Sequence, residues 1–192
     1  MKLSRKQEIL RASAHLFRKQ GYQGTSLKSI ALAVGMEAAP SLYNHIQSKA
    51  AILEELLLGM ARRFDLGMKE IKEAQINPQD KIERIIRLHL NLTIQEPDAI
   101  ALIWQEWVHL SPGPKAEYLQ LREKYDLNLR EILQSGIDQH YFQGLEVELM
   151  LFSLLSTLRS IYAWYLRHQD YNPIELEKQL THCLLKGIIK PQ

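Results

Sequence analysis

The sequence predicts an all-α protein of about nine helices, three short ones at the N-terminus followed by a larger helical bundle. Three observations predict it. No stretch sustains the period-two alternation of a half-buried strand, apolar residues recur at i, i+3 and i+4 between turn signals, and those signals take the form of helix caps. The 192 residues are 46% hydrophobic and 24% charged, which fits one mid-sized or two small domains and excludes a disordered or collagenous chain. The longest run free of Asp, Glu, Lys and Arg is Ala38 to Ser48, well short of the roughly 20 apolar residues a membrane-spanning helix needs, so no membrane association is expected. Lys2, Arg5, Lys6 and Glu8 interrupt the place where a signal peptide would carry its apolar core, and Cys183 is the single cysteine. A cytoplasmic location is the expectation.

The first helix starts at Ser4, where Ser4-x-x-Gln7 can form a capping box, and its apolar stripe is Ile9, Ala12, Leu16 and Phe17. Gly21 stops it. Thr25 or Ser26 caps a short second helix with Leu27, Ile30 and Ala31 inward, and Gly35 ends it. Pro40 suits the first turn of a third short helix whose Leu42 and Ile46 share the buried side. Ser48 caps a fourth helix, and five more segments follow at roughly 78–95, 97–109, 114–135, 146–168 and 173–188. Asn77-Pro78 and Asn172-Pro173 read as N-cap plus first-turn proline, and Ser111-Pro112-Gly113-Pro114 as a break. The expected domains are residues 1–47, a helix-turn-helix module, and 48–192, a helical regulatory and dimerisation bundle.

Charge separates the two. Lys2, Arg5, Lys6, Arg11, Arg18, Lys19, Lys28 and Lys49 against Glu8 and Glu37 give residues 1–50 a net +6, leaving −4 on the remainder of a chain whose total is +2. A compact basic module on a mildly acidic body points to a polyanion as partner of the first fifty residues, the alternative being solvated helix faces that collected lysines. Three short helices with a glycine turn before the third outline a DNA-binding helix-turn-helix, because the third helix fits a major groove about 12 Å wide. With Leu42 and Ile46 inward, Ser41, Tyr43, Asn44 and His45 face out; Asn can pair with adenine, Ser is permissive, and Tyr and His can bind phosphate. Lys28 and Lys49 can neutralise phosphates, with help from helix-start amides near Ser26 and Ser48.

The run Ile9-x-x-Ala12-x-x-x-Leu16-Phe17-x-x-x-Gly21-Tyr22-x-x-Thr25-Ser26-Leu27-x-x-Ile30-Ala31-x-x-x-Gly35, followed by Ser41-Leu42-Tyr43-Asn44-His45-Ile46-x-Ser48-Lys49, resembles the DNA-binding domain of the TetR family of bacterial transcriptional regulators. The resemblance covers about the first 55 residues. It implies a homodimer reading a palindromic operator in double-stranded DNA, usually as a repressor released by a small effector. It also implies phosphate contacts from Thr25, Tyr43, His45 and Lys49, and base contacts from the exposed start of the third helix. Between Gly35 and Tyr43 the chain has one residue more than the usual family spacing, and Pro40 removes an amide there.

In the body, Val147 to Leu166 is apolar nearly all round, so it must be covered on two sides, by its own bundle and by a partner chain, or by its own domain alone. Leu154, Leu158 and Tyr165, with Leu180 and Leu184 of the last helix, are the candidate dimer interface. Trp104, Trp107, Tyr125, Phe152 and Tyr162, with Arg159 as orienting group, are candidates to line a pocket for a mainly apolar ligand; core or interface is the alternative for each. Glu106-x-x-His109 has the spacing of half a di-iron site, but no second Glu-x-x-His follows, and no nucleophile or phosphate-loop motif occurs. No metal, cofactor or enzymatic activity is expected. The alternatives to a ligand-released regulator are a helical ligand carrier and a DNA-binding dimer with a closed core.

Overall fold

The computed structural model describes residues 3–37 and 39–189; Lys2 and Ala38, both used in the sequence reading, lie outside the described residues. It contains α1 (Arg5–Gly24), α2 (Leu27–Ala33), a 3-10 helix (Ala39–Asn44), α3 (Lys49–Glu73), α4 (Pro78–Gln95), α5 (Pro97–Gln105), a 3-10 turn (Trp107–His109), α6 (Pro112–Asp138), α7 (Val147–Tyr165) and α8 (Pro173–Lys186). Apart from one bridge between Phe142 and Ile189, no β pairing occurs among the described residues. None of these helices is long and apolar enough to cross a membrane.

The caps form where the sequence places them. Ser4 and Gln7 make a reciprocal capping box on α1, the Asn77 side chain accepts from Asp80 N–H at 2.9 Å ahead of α4, and the Asn172 side chain caps α8. Two departures have simple causes. The six residues after the Gly35 turn form a 3-10 helix rather than an α-helix, because a segment that short gains little from cooperative α-helical propagation. Helix α6 begins at Pro112, inside the expected break, since prolines in a first turn forfeit amides that have no intrahelical acceptor.

Compactness groups the chain differently from its linear order. One unit comprises Met1–Arg62 with Asp98–Gln120, the other Arg63–Pro97 with Leu121–Gln192, so α3 and α6 each contribute to both. In the first unit, α1 packs on α2, and α2 on the 3-10 helix, over a core of Ile9, Phe17, Ile30, Ala31 and Leu42. In the second, α4 packs against α7 and α8 through Ile82, Ile85, Ile86 and Leu90. Helix α7 buries Met150, Leu151, Leu154, Leu155, Leu158, Ile161 and Tyr165 within its own unit. Leu154, Leu158 and Tyr165 therefore belong to the protomer's own core, not to an interface; Leu180 and Leu184 are half-buried. The outward strip of α7 is Leu149, Phe152, Ser153, Ser156, Ser160 and Ala163.

Candidate nucleic-acid interface

The turn into the module is built by glycine. Gly21 at φ 75° carries the backbone out of the helical region, and Gly35 at φ 70° closes α2, both in a region that costs other residues about 1 kcal/mol or more. Between them Ser26 caps α2, its hydroxyl accepting from Ser29 N–H at 3.0 Å. The 3-10 helix is pinned by Leu42 and Ile46, 0% and 7% exposed, and its last turn closes through His45 and Ile46 N–H donating to the Leu42 carbonyl. That anchoring leaves Ser41, Tyr43, Asn44, His45 and Gln47 exposed beside one another in sequence, and Ser48 caps the following helix through Ala51 N–H. Lys28 is exposed on α2.

Two residues expected on phosphate are committed elsewhere. Thr25 is 2% exposed, and its hydroxyl donates to the Gly21 carbonyl at 2.9 Å. Lys49 turns its ammonium onto the end of α1, donating to the carbonyls of Tyr22 at 2.9 Å and Thr25 at 2.8 Å, with that of Gln23 at 3.5 Å. It also sits 4.5 Å over the Tyr22 ring. A cation there satisfies carbonyls left open at a helix C-terminus, so Lys49 is a clip within the module. Other basic groups are likewise engaged: Arg5 with Glu8 and the Val34 carbonyl, Lys6 with Glu55, Arg18 with Asp98. Arg11, Lys19 and Lys28 are exposed without an ion-pair partner among the described residues.

The expected pocket residues divide between the units. Trp104 and Trp107 lie in the first, where Trp107 stacks on Tyr118 at 6.3 Å under the Lys115 ammonium. In the second, Tyr125 is buried, Tyr162 is half-buried, and Arg159 pairs with Asp126 at 2.6 Å. Phe152 is 68% exposed and points away from its unit's core, because it falls on the outward strip of α7. The sequence reading missed His89, whose Nε2 lies 3.0 Å from Tyr125 Oη while its ring rests 4.7 Å from that of Phe64. Burial, aided by the Arg159 charge, pushes the imidazole down to about 3, and burial pushes the Tyr125 hydroxyl up, so both stay neutral. His89 and Thr93, four apart on the apolar face of α4, were the available signal.

Glu106 and His109 hold no metal-like geometry with a third ligand; among the described residues no three His, Cys, Asp or Glu side chains cluster. Instead both meet Tyr22. Glu106 Oε1 accepts its N–H at 3.3 Å, and the His109 ring stacks on it at 5.4 Å.

Residues 9–56 match the family model described as bacterial regulatory proteins, tetR family, and residues 75–188 match that of the tetracyclin repressor-like C-terminal domain. Over 190 residues the chain is 26% identical to the HTH-type transcriptional repressor KstR2 of Mycobacterium tuberculosis, covering 97% of this chain and 94% of that one. The KstR2 structure superposes with a TM-score of 0.87 at 23% identity over 100% and 98% of the two chains. The TetR-family regulator PfmR of Thermus thermophilus gives 0.80 at 27% identity, covering 93% and 97%. AibR, solved in complex with isovaleryl coenzyme A and operator DNA, gives 0.78 at 22%, covering 94% and 97%.

Proposed function

The chain belongs to the TetR family of bacterial transcriptional regulators, and on that premise we propose that two copies bind a palindromic operator as a repressor that a small, mainly apolar ligand releases. The observation that carries the reading is the exposed set Ser41, Tyr43, Asn44 and His45, held by buried Leu42 and Ile46 in the most basic part of the chain. Asn44 and Ser41 read bases, while Tyr43, His45 and Lys28 hold phosphates and Ser26 orients the start of α2 beside them. Residues 1–47 supply this module and 48–192 supply regulation and dimerisation, acting in the cytoplasm. The dimer forms through the outward strip of α7, with Leu149 and Phe152 as its apolar anchors, 65% and 68% exposed in the single chain.

For the ligand, Trp104, Trp107, Tyr125, Tyr162 and Arg159 remain the candidate lining. An acyl thioester such as the one bound to AibR has the apolar body and polar carbonyl that such residues suit. Selection of duplexes from a random library by the full chain tests the reading. An enriched palindrome is expected, with Asn44→Ala relaxing its preference and Lys28→Ala lowering the salt slope by about 1. Failure to enrich any duplex leaves the ligand-carrier alternative. An enriched duplex that no metabolite releases leaves a constitutive DNA-binding dimer.

A further inference from the structure

Residues 98–120 pack in the same unit as the DNA-reading module, and two of their carboxylates grip α1 from opposite ends of α5. In the first turn of α5, Asp98 accepts from the Arg18 guanidinium and lies 3.1 Å from His15 Nδ1. Just past its end, Glu106 accepts the Tyr22 N–H and lies 3.4 Å from His109 Nε2, whose ring is stacked on Tyr22. Tyr22 follows the Gly21 kink directly, and it is the residue that Lys49 grips by both carbonyl and ring. Lys49 opens α3, four residues after His45. An unbroken path of contacts thus runs from Glu106 and His109 through Tyr22 and Lys49 to the end of the reading helix.

We propose that Asp98 and Glu106 are positioning residues that couple residues 98–120 to the reading head, so that a displacement of that segment and the engagement of DNA are linked. The inference rests on the DNA-binding reading above. These are not loose surface pairs: the side chains of Asp98 and Arg18 are 25% and 26% exposed, and that of Glu106 13%, so water screens them less than exposed ions. Each joins positions about 80 residues apart in the chain. Linkage is reciprocal, so DNA alone reveals the coupling without any effector.

The test is amide hydrogen exchange on the full chain with and without a palindromic duplex enriched by the wild-type protein. Residues 41–48 should slow through direct contact, and residues 98–110 should change by about fivefold or more through the clamps. In Asp98→Leu with Glu106→Leu, the response at 98–110 should vanish while that at 41–48 persists. Glu106→Gln, which can still accept the Tyr22 N–H, should restore it when Asp98 is intact. If the double variant does not fold, His109→Ala, which removes only the stacked ring, should still reduce the response. A wild-type segment 98–110 indifferent to DNA, or a response that survives loss of both carboxylates, overturns the proposal. Absence of protection at 41–48 overturns the DNA-binding reading instead.

Discussion

Replacing His89 by Gln should remove an acid sensitivity whose size follows from the structure. His89 is 3% exposed, its Nε2 faces Tyr125 Oη at 3.0 Å, and the positive charge of Arg159 acts on it together with burial. Its imidazole titrates near 3 in the folded chain against 6.5 when unfolded. Between those values the unfolded chain binds the proton and the native chain does not, so stability is full above pH 6.5 and falls as the solution is acidified. Each pH unit costs roughly 1.4 kcal/mol, so from pH 6.5 to pH 5 the loss is about 2 kcal/mol. Gln cannot titrate and can keep a hydrogen bond to the Tyr125 hydroxyl, at a packing cost of about 1 kcal/mol for the lost ring against Phe64. Urea unfolding at fixed protomer concentration, from pH 7.5 to 5, should therefore show the wild type more stable at neutral pH and the variant overtaking it between about pH 6 and 5. Other carboxylates and histidines titrate in both proteins and cancel in the difference. A stability difference that stays constant across this range would refute the assignment of His89 as a buried neutral base.

Lys49→Met should lower the thermal midpoint and weaken binding to every duplex alike while leaving the salt slope unchanged, because its ammonium binds carbonyls and not phosphate; titrations at several salt concentrations separate the two. Gly136→Ala should destabilise by about 1–2 kcal/mol in spite of the better helix former, since a Cβ there would fall 2.1 Å from the Phe142 ring, and a drop of a few degrees in the midpoint would show it. Phe152→Glu should give a folded monomer by sedimentation, whereas Leu154→Glu should fail to fold, because the first lies on the outward strip of α7 and the second is 2% exposed in the protomer core.

The sequence by itself determined the helices and the reading head, because the signals involved act within a few residues. Capping boxes at Ser4, caps at Asn77 and Asn172, and glycines that alone adopt positive φ at 21 and 35 specify where helices start and stop. The same locality oriented the third helix, where alternation of Leu42 and Ile46 with polar residues leaves Ser41, Tyr43, Asn44 and His45 outside whether the turn is α or 3-10. The tertiary structure alone decided what each charge does and which side of each apolar helix is covered. Lys49 reads as a phosphate ligand until α1 brings its terminal carbonyls to it. Arg18 reads as part of a basic surface until Asp98 arrives from 80 residues away. Helix α7 is apolar on nearly every face, so periodicity could not say that Leu154 goes inward and Phe152 outward; packing against α4 did. A side chain's role depends on the atoms within about 4 Å of it, and folding draws those from anywhere in the chain, whereas a cap or a turn needs only its neighbours.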